Sequence, residues 1–231
     1  MVKTRYLFRP PVREYDVIPI GMGGLRQTKI GEMSTLFALV RSGPGSPTTL
    51  KRIVFLGDSA RESRSITLFA KYRVKLGTFS SGDLRADSRS IFEDPTPINL
   101  DKRELLKYLS IKIIPISEAE KHLSRTDSSG YTDPLDWKAI KGIIIRVFKG
   151  NRPDGTPYGV YTVVDESVGT EPKVSADGKV LTPGFTVWIA PELMEYDTES
   201  ECIFVGTIQK REGKEPFMNC YMVIPLFVRS V

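Results

Sequence analysis

One histidine stands in the whole 231-residue chain, His122, next to Glu118 and Glu120. Any Ser-His-Asp or Cys-His device would have to use it, and no Gly-x-Ser-x-Gly elbow presents a serine. The simpler expectation is a solvated helix histidine. Cys202 and Cys220 are too few for a disulfide framework, and with one histidine they show no zinc-ligand spacing. They are expected to be reduced, partly buried thiols that could face each other across a hairpin. Asp133, Asp136, Asp165 and Glu166 are the carboxylates that could pair for acid–base work. Asp133-Pro134 reads as a turn, however, and Asp165-Glu166 as the close of a strand. Gly21-Met-Gly23-Gly24 lacks the third spaced glycine of a dinucleotide loop and is followed by no Gly-Lys-Ser/Thr. The expectation is therefore a non-enzyme with no catalytic residues, no metal, no cofactor and no small-molecule substrate.

The chemistry that remains is that of cations. The chain holds 33 Lys/Arg against 28 Asp/Glu, a net charge of +5. Residues 1–152 carry 27 Lys/Arg and 16 Asp/Glu, a balance of +11, and residues 153–231 carry 6 and 12, a balance of −6. Such asymmetry suits an anionic partner for the first part, or head-to-tail self-association of a basic part with an acidic one. The candidate anion-binding residues are Lys51 and Arg52 at the start of one strand, Arg61 and Arg64 in the loop after it, and Lys71, Arg73 and Lys75 along the next. Lys102, Arg103 and Lys107 on a nearby helix complete the set. Were the two strands to pair as a hairpin, these residues would form one basic patch suited to phosphates, contacted without sequence readout. Edge protection of a soluble strand is the competing use of the same lysines and arginines.

The elements that must position these residues are mostly strands. Leu68 to Phe79 alternates cleanly. Leu68, Ala70, Tyr72, Val74 and Leu76 share one face, while Phe69, Lys71, Arg73 and Lys75 share the other. Leu50–Leu56, Ile111–Ile116, Trp137–Lys149, Tyr158–Val164, Phe185–Ile189, Cys202–Gln209 and Phe217–Val228 read as further strands. The strand Trp137–Lys149 carries Ile, Val or Phe on both faces and is expected to be central. Turns are marked by Pro153-Asp-Gly155, Asp177-Gly178 and Arg211-Glu-Gly213. Asp101-Lys-Arg-Glu104 and Ser117-Glu-Ala-Glu120 have the form of capping boxes opening short helices. Residues 1–34, with Pro10, Pro11 and Pro19 and several glycines, read as an extended arm. Tyr6, Phe8, Pro10, Pro11 and Tyr15 of that arm are candidates for docking onto a neighbouring subunit. Residues 35–231 form the globular part, with a possible sub-boundary near 150. No internal repeat is visible. The expected class is mainly β, a sandwich or barrel-like fold with two or three short helices, with α+β as the alternative.

Apolar residues make up 40% and charged residues 26% of the chain. With no apolar run approaching roughly 20 residues, this excludes an integral helical membrane protein and a wholly disordered chain. The first residues have no apolar h-region, so no signal peptide is expected. A basic, cysteine-poor, β-rich chain of this size with a Pro/Gly-rich start resembles the matrix proteins of negative-strand RNA viruses in size, charge and texture. Pro10-Pro11-Val12-Arg13-Glu14-Tyr15 holds the residues of their Pro-Pro-x-Tyr signal at a different spacing. The resemblance implies a virion structural protein that self-assembles on acidic membrane lipids and ribonucleoprotein, cytoplasmic and peripheral at the membrane. The alternative is a nucleic-acid-binding viral protein, such as a capsid, movement or accessory protein, that takes RNA or DNA in solution.

Overall fold

A computed structural model describes residues 11–128, 132–168 and 183–228, together with the backbone of 173–174 and 180–181. The first strand, β1, is Arg13–Met22. It is followed by β2 (Arg26–Thr28), β3 (Gly31–Arg41) and β4 (Thr49–Leu56). A short helix α1 (Asp58–Glu62) and a 3₁₀ turn, Ser63–Ser65, lead to β5 (Ala70–Thr78) and the two-residue β6 (Leu84–Arg85). β1 pairs antiparallel with both β3 and β5, β3 with β4, and β5 with β6, and β4 closes the circle by running parallel to β6. The result is a closed five-stranded barrel, with β2 extending β3 as a small hairpin. Its interior is Val17, Leu36, Ala38, Ile53, Phe55, Tyr72, Val74 and Leu76. The alternation expected for β5 holds, since Ala70, Tyr72, Val74 and Leu76 are buried while Arg73 and Lys75 are exposed.

A connecting segment holds β7 (Thr96–Pro97), α2 (Lys102–Tyr108), β8 (Ile113–Ile114) and a 3₁₀ helix at Ile116–His122. Asp101 caps α2 as its sequence implies, accepting from the backbone N–H of Arg103 at 2.8 Å. The second expected capping box does not form. The turn opens one residue after Pro115 without a side-chain cap, and the backbone N–H of Ser117 donates to Ser167 instead.

The rest of the chain builds β9 (Lys138–Asn151), β10 (Pro157–Val164), the backbone hairpin β11 (Lys173–Val174) and β12 (Val180–Leu181), β13 (Phe185–Ile189), β14 (Glu201–Gln209) and β15 (Phe217–Phe227). β9 pairs antiparallel with β10 and β14, β10 with β13 and β14 with β15, while β13 runs parallel to β15. This second closed barrel repeats the strand order and strand senses of the first, with a 3₁₀ turn, Pro191–Leu193, where the first has α1. The repeat is one of topology, invisible in the residues. Its core is Ile140, Ile144, Tyr161, Val163, Val187, Phe204, Ile208 and Met218.

A third cluster joins the barrels. Ile20, Phe37 and Leu39 of the first pack on Ile203, Val205, Tyr221, Met222 and Ile224 of the second, with Leu105, Leu106 and Trp137 alongside. Phe37, Trp137 and Tyr221 form a three-ring contact, with Phe37 4.3 Å from Tyr221 and 5.3 Å from Trp137. Gly21 permits the approach: a β-carbon there would lie 2.8 Å from the Tyr221 carbonyl oxygen.

Three expectations are corrected here. The boundary does not fall near 150, which lies inside β9, but in the segment between the barrels. Residues 13–34 do not stand off as an arm. They form β1, β2 and the start of β3, because Val17, Ile20 and Met22 are needed in the two cores. The strand expected over Ile111–Ile116 shrinks to Ile113–Ile114.

Candidate nucleic-acid interface

Six of the ten cations expected to form one patch are instead paired with separate carboxylates. β4 and β5 are not a hairpin, since β6 lies between them. Lys71 and Arg73 converge, with Arg41, on Asp16 of the neighbouring strand, at 3.2, 3.5 and 2.9 Å. The cross-strand Arg41 guanidinium, together with Lys71 and Arg73, holds the Asp16 carboxyl below its ordinary value. Arg52 pairs with Asp83. Arg61 makes a two-point contact with Glu32, at 2.5 and 2.7 Å. Arg64 bridges the barrels, gripping Glu192 and donating to the Gly23 carbonyl at 2.6 Å. Lys102 sits 4.5 Å from the centre of the Phe69 ring and Lys107 pairs with Glu104. Lys51 is partly buried, and Lys75 and Arg103 are exposed. Of the proposed docking residues, Tyr6, Phe8 and Pro10 lie outside the described residues. Pro11 is exposed and Tyr15 packs on its own barrel core.

Other candidates also find structural places. Cys202 and Cys220 are free and buried in the second core. They do not face each other: Cys202 is opposite Pro225, and Cys220 is opposite Gly206. Desolvation pushes both thiols up to about 12. Asp165 accepts from the Ile116 N–H at 2.8 Å, and Asp133 and Asp136 both face Arg125. His122 lies 3.7 Å from Glu118 on the exposed 3₁₀ helix. Among the described residues no cluster of His, Cys, Asp or Glu is arranged to hold a metal.

The surface that does gather chemistry is the outer wall of β9, β10 and β13. Tyr161, Val163, Val187 and Ile189 point inward, so period two turns Tyr158, Val160, Thr162, Thr186 and Trp188 outward. Register then sets Val160 between Phe148 on β9 and Trp188 on β13, and Thr162 beside Arg146. Phe148 is 46% exposed, and Tyr158 and Trp188 are partly exposed. Their rings form a ladder, with Phe148 to Tyr158 at 5.8 Å and Tyr158 to Trp188 at 5.2 Å.

Two turns frame the ladder with guanidinium groups. Arg152, in the β9–β10 turn, lies 5.5 Å from the Tyr158 ring centre. It also donates to Leu25 O of the first barrel at 3.1 Å. That turn is set by Asp154, which accepts from the Thr156 N–H and hydroxyl, and by Gly155 at positive φ. Arg211, in the β14–β15 turn, lies 5.3 Å from the ring centre of Phe217. Between them opens a cavity of about 470 Å³ that takes in Arg26, Tyr158, Trp188, Asn219 and both turn arginines, with no carboxylate among the described residues that line it.

Sequence reasoning missed this site because it took apolar residues on both faces of β9 for a sign of full burial. Ala139, Ile140, Gly142 and Ile144 in the first half of β9 are buried, but from Ile145 on no residue of the strand is, and Phe148 is exposed. The available signal was Trp188 between Val187 and Ile189: three consecutive large apolar residues cannot all enter one barrel.

The strand order β1-β3-β4-β6-β5-β1, repeated as β9-β10-β13-β15-β14-β9, with the third strand parallel to the fifth, is the topology of a five-stranded Greek-key barrel of the OB type. The chain is thus two such barrels in tandem. No family model matches it, and no curated protein is similar to it in sequence. Solved structures with some likeness include a murine DNA-binding protein bound to double-stranded DNA, at 10% identity and TM-score 0.35, with 95% of this chain and 100% of that one covered. Another is the single-stranded DNA-binding protein of Thermus aquaticus, at 11% and 0.30, with 96% of each covered. The tetrameric p202 HIN2 gives 9% and 0.31, with 94% and 93% covered. Overlaps this loose leave the fold to be assigned by strand order alone.

Proposed function

We propose that this protein is a non-enzymatic binder of single-stranded nucleic acid, and that the outer wall of β9, β10 and β13 is its binding face. The observation that carries the proposal is the solvent-facing ladder Phe148–Tyr158–Trp188, framed by Arg152 and Arg211. Bases unstacked from a duplex present flat π-faces to such rings. Each stacked base contributes roughly 1–3 kcal/mol, whatever its identity. Arginines beside the rings meet the phosphates, and the absence of a carboxylate from the cavity lining spares the strand local repulsion. The second and third strands of this barrel type, with the turns between strands one and two and between four and five, are where oligonucleotides bind in other such barrels. Here those elements are β10, β13 and the turns holding Arg152 and Arg211.

This reading favours nucleic-acid binding over a matrix-like coat on acidic lipid. Five of the first-barrel cations that were to meet a membrane, Arg52, Arg61, Arg64, Lys71 and Arg73, are engaged with Asp83, Glu32, Glu192 and Asp16. Fluorescence anisotropy with oligothymidylate, oligouridylate and a duplex of equal length tests it. Both single strands should bind more tightly than the duplex, with log affinity falling linearly in log salt. Trp188→Ala should lose about 10- to 100-fold, on the stacking scale. Wild-type affinity in that variant, or binding only to acidic vesicles, would overturn the proposal.

A further inference from the structure

Beside the aromatic face lies a second cavity, of about 230 Å³, in the crevice between the barrels. Gly23 and Gly24 form one lip, Thr35 and Arg52 the first-barrel wall, and Thr207 and Tyr221 the second-barrel wall. Arg26 and Gln209 line both cavities, so the two adjoin at that pair. Among the described residues the crevice lining, like that of the aromatic face, has no carboxylate. The other large clefts differ: one contains Glu192 and Glu195, the other Asp136. A track that runs from Arg211 and Arg152 to Arg26 therefore presents three guanidinium groups, and it leads toward Arg52, whose own charge is shared with Asp83.

We propose that a bound single strand does not end at the aromatic face but continues past Arg26 and Gln209 into the inter-barrel crevice, where its sugar-phosphate backbone is held. This rests on the nucleic-acid reading given above. The chemistry of the crevice suits phosphate and sugar more than bases. Its polar groups are guanidinium groups, the hydroxyls of Ser34, Thr35 and Tyr221, and a primary amide, and no aromatic ladder continues into it. Tyr221 and Thr207 are already hydrogen-bonded to each other at 3.1 Å, so that wall is ordered before a ligand arrives. Gly23 and Gly24 keep the entrance low. A β-carbon on Gly23 would run into the Thr35 side chain, whereas one on Gly24 would meet nothing within 4 Å. The full site then spans both barrels, and affinity depends on strand length beyond what the rings alone cover.

Gly24 supplies the variant that separates the two sites, because it lines the crevice and not the aromatic cavity. Gly24→Glu sets a carboxylate in open space without steric conflict. Anisotropy is read with a short oligothymidylate of about 5 nucleotides and a long one of about 15, within the range of site sizes for such barrels. The wild type should bind the long strand at least tenfold more tightly than the short one. Gly24→Glu should erase most of that gain and leave the short strand unchanged. Met33→Glu, which changes charge at nearly constant length and lines the crevice but not the aromatic cavity, should reduce the gain in the same direction, and it replaces the first variant if thermal melting shows Gly24→Glu to be misfolded. A gain that survives both variants, or a wild type that does not distinguish the two lengths beyond the statistical increase in registers, overturns the crevice proposal while leaving the aromatic face intact. Failure of the face itself is distinct: both lengths would then bind Trp188→Ala as they bind the wild type.

Discussion

The two barrels share a strand order, yet their corresponding walls meet opposite fates. In the first barrel the outer wall of β1, β3 and β4 presents Ile18, Ile20, Phe37, Leu39 and Leu50, and the inter-barrel cluster takes in all of them. In the second barrel the same wall presents Phe148, Tyr158, Val160 and Trp188, of which Phe148 is exposed and the other three are partly exposed. A barrel needs one apolar face per strand, the inward one. An apolar outer face is surplus and must either be buried against something or remain for a ligand. The first barrel spends its surplus on holding the molecule together, and the second presents its own to solvent.

Charge divides in the same way once the boundary is correctly placed. Residues 1–97 carry 16 Lys/Arg against 9 Asp/Glu, and residues 138–231 carry 11 against 12. The apparent acidity of the C-terminal part came from assigning most of β9 and its turn, with Lys138, Lys141, Arg146, Lys149 and Arg152, to the other part. The more basic barrel is also the one whose cations are largely engaged with carboxylates. The nearly neutral one places Arg152 and Arg211 beside aromatic rings. Net charge thus marks the barrel whose cations are largely paired, not the one with the aromatic outer wall.

The largest expected effect that would sharpen this contrast is on stability. Phe37→Ala should cost about 3–5 kcal/mol, since it empties the buried ring contact between the barrels. Trp188→Ala, on the open wall of the second barrel, should cost far less in urea unfolding while abolishing most binding. Equal stability losses would break the comparison. Next comes Gly21→Ala, whose β-carbon is set against the Tyr221 carbonyl and should lower the unfolding midpoint measurably.

A smaller effect is expected from reversing Lys71, Arg73 and Lys75 to Glu together. Two of them would then repel Asp16, so a modest loss of stability should appear, on the scale of about 0–1 kcal/mol per exposed pair. Oligonucleotide affinity at moderate salt should change by less than tenfold. A collapse of binding would return the site to the first barrel.

Smallest is a pH effect confined to the first barrel. Hydrogen bonds from Arg89, and its charge, hold the Asp87 carboxyl down to about 2. Its unfolded value is near 3.8, so the stabilisation is complete above pH ~4 and disappears as pH falls through ~2. Asp87→Asn should therefore lower the melting temperature at pH 5 and converge with wild type near pH 2. A difference that persists unchanged to pH 2 would contradict it. The two thiols of the second barrel, by contrast, should resist alkylation at pH 8 in the folded protein and react on unfolding.

Local pattern fixed much of this on its own. Period two places β5, β10, β13, β14 and β15 within a residue or two, and Asp101 marks its helix by the cap it makes. Pro153-Asp-Gly155 marks its turn, and the mainly β, barrel-like class follows from the sum. These features depend on residues a few positions apart, so the chain states them directly. What only the tertiary structure decided is everything that depends on distant partners. The two closures, β4 beside β6 and β13 beside β15, bring together segments whose pairing leaves no local mark. The burial of Phe37 and the exposure of Trp188 are equally unmarked, since each is an aromatic residue between apolar neighbours on a strand. Alternation shows that such a strand has a second apolar face. Only the packing of one barrel on the other determines which of those faces is covered and which is open to a ligand.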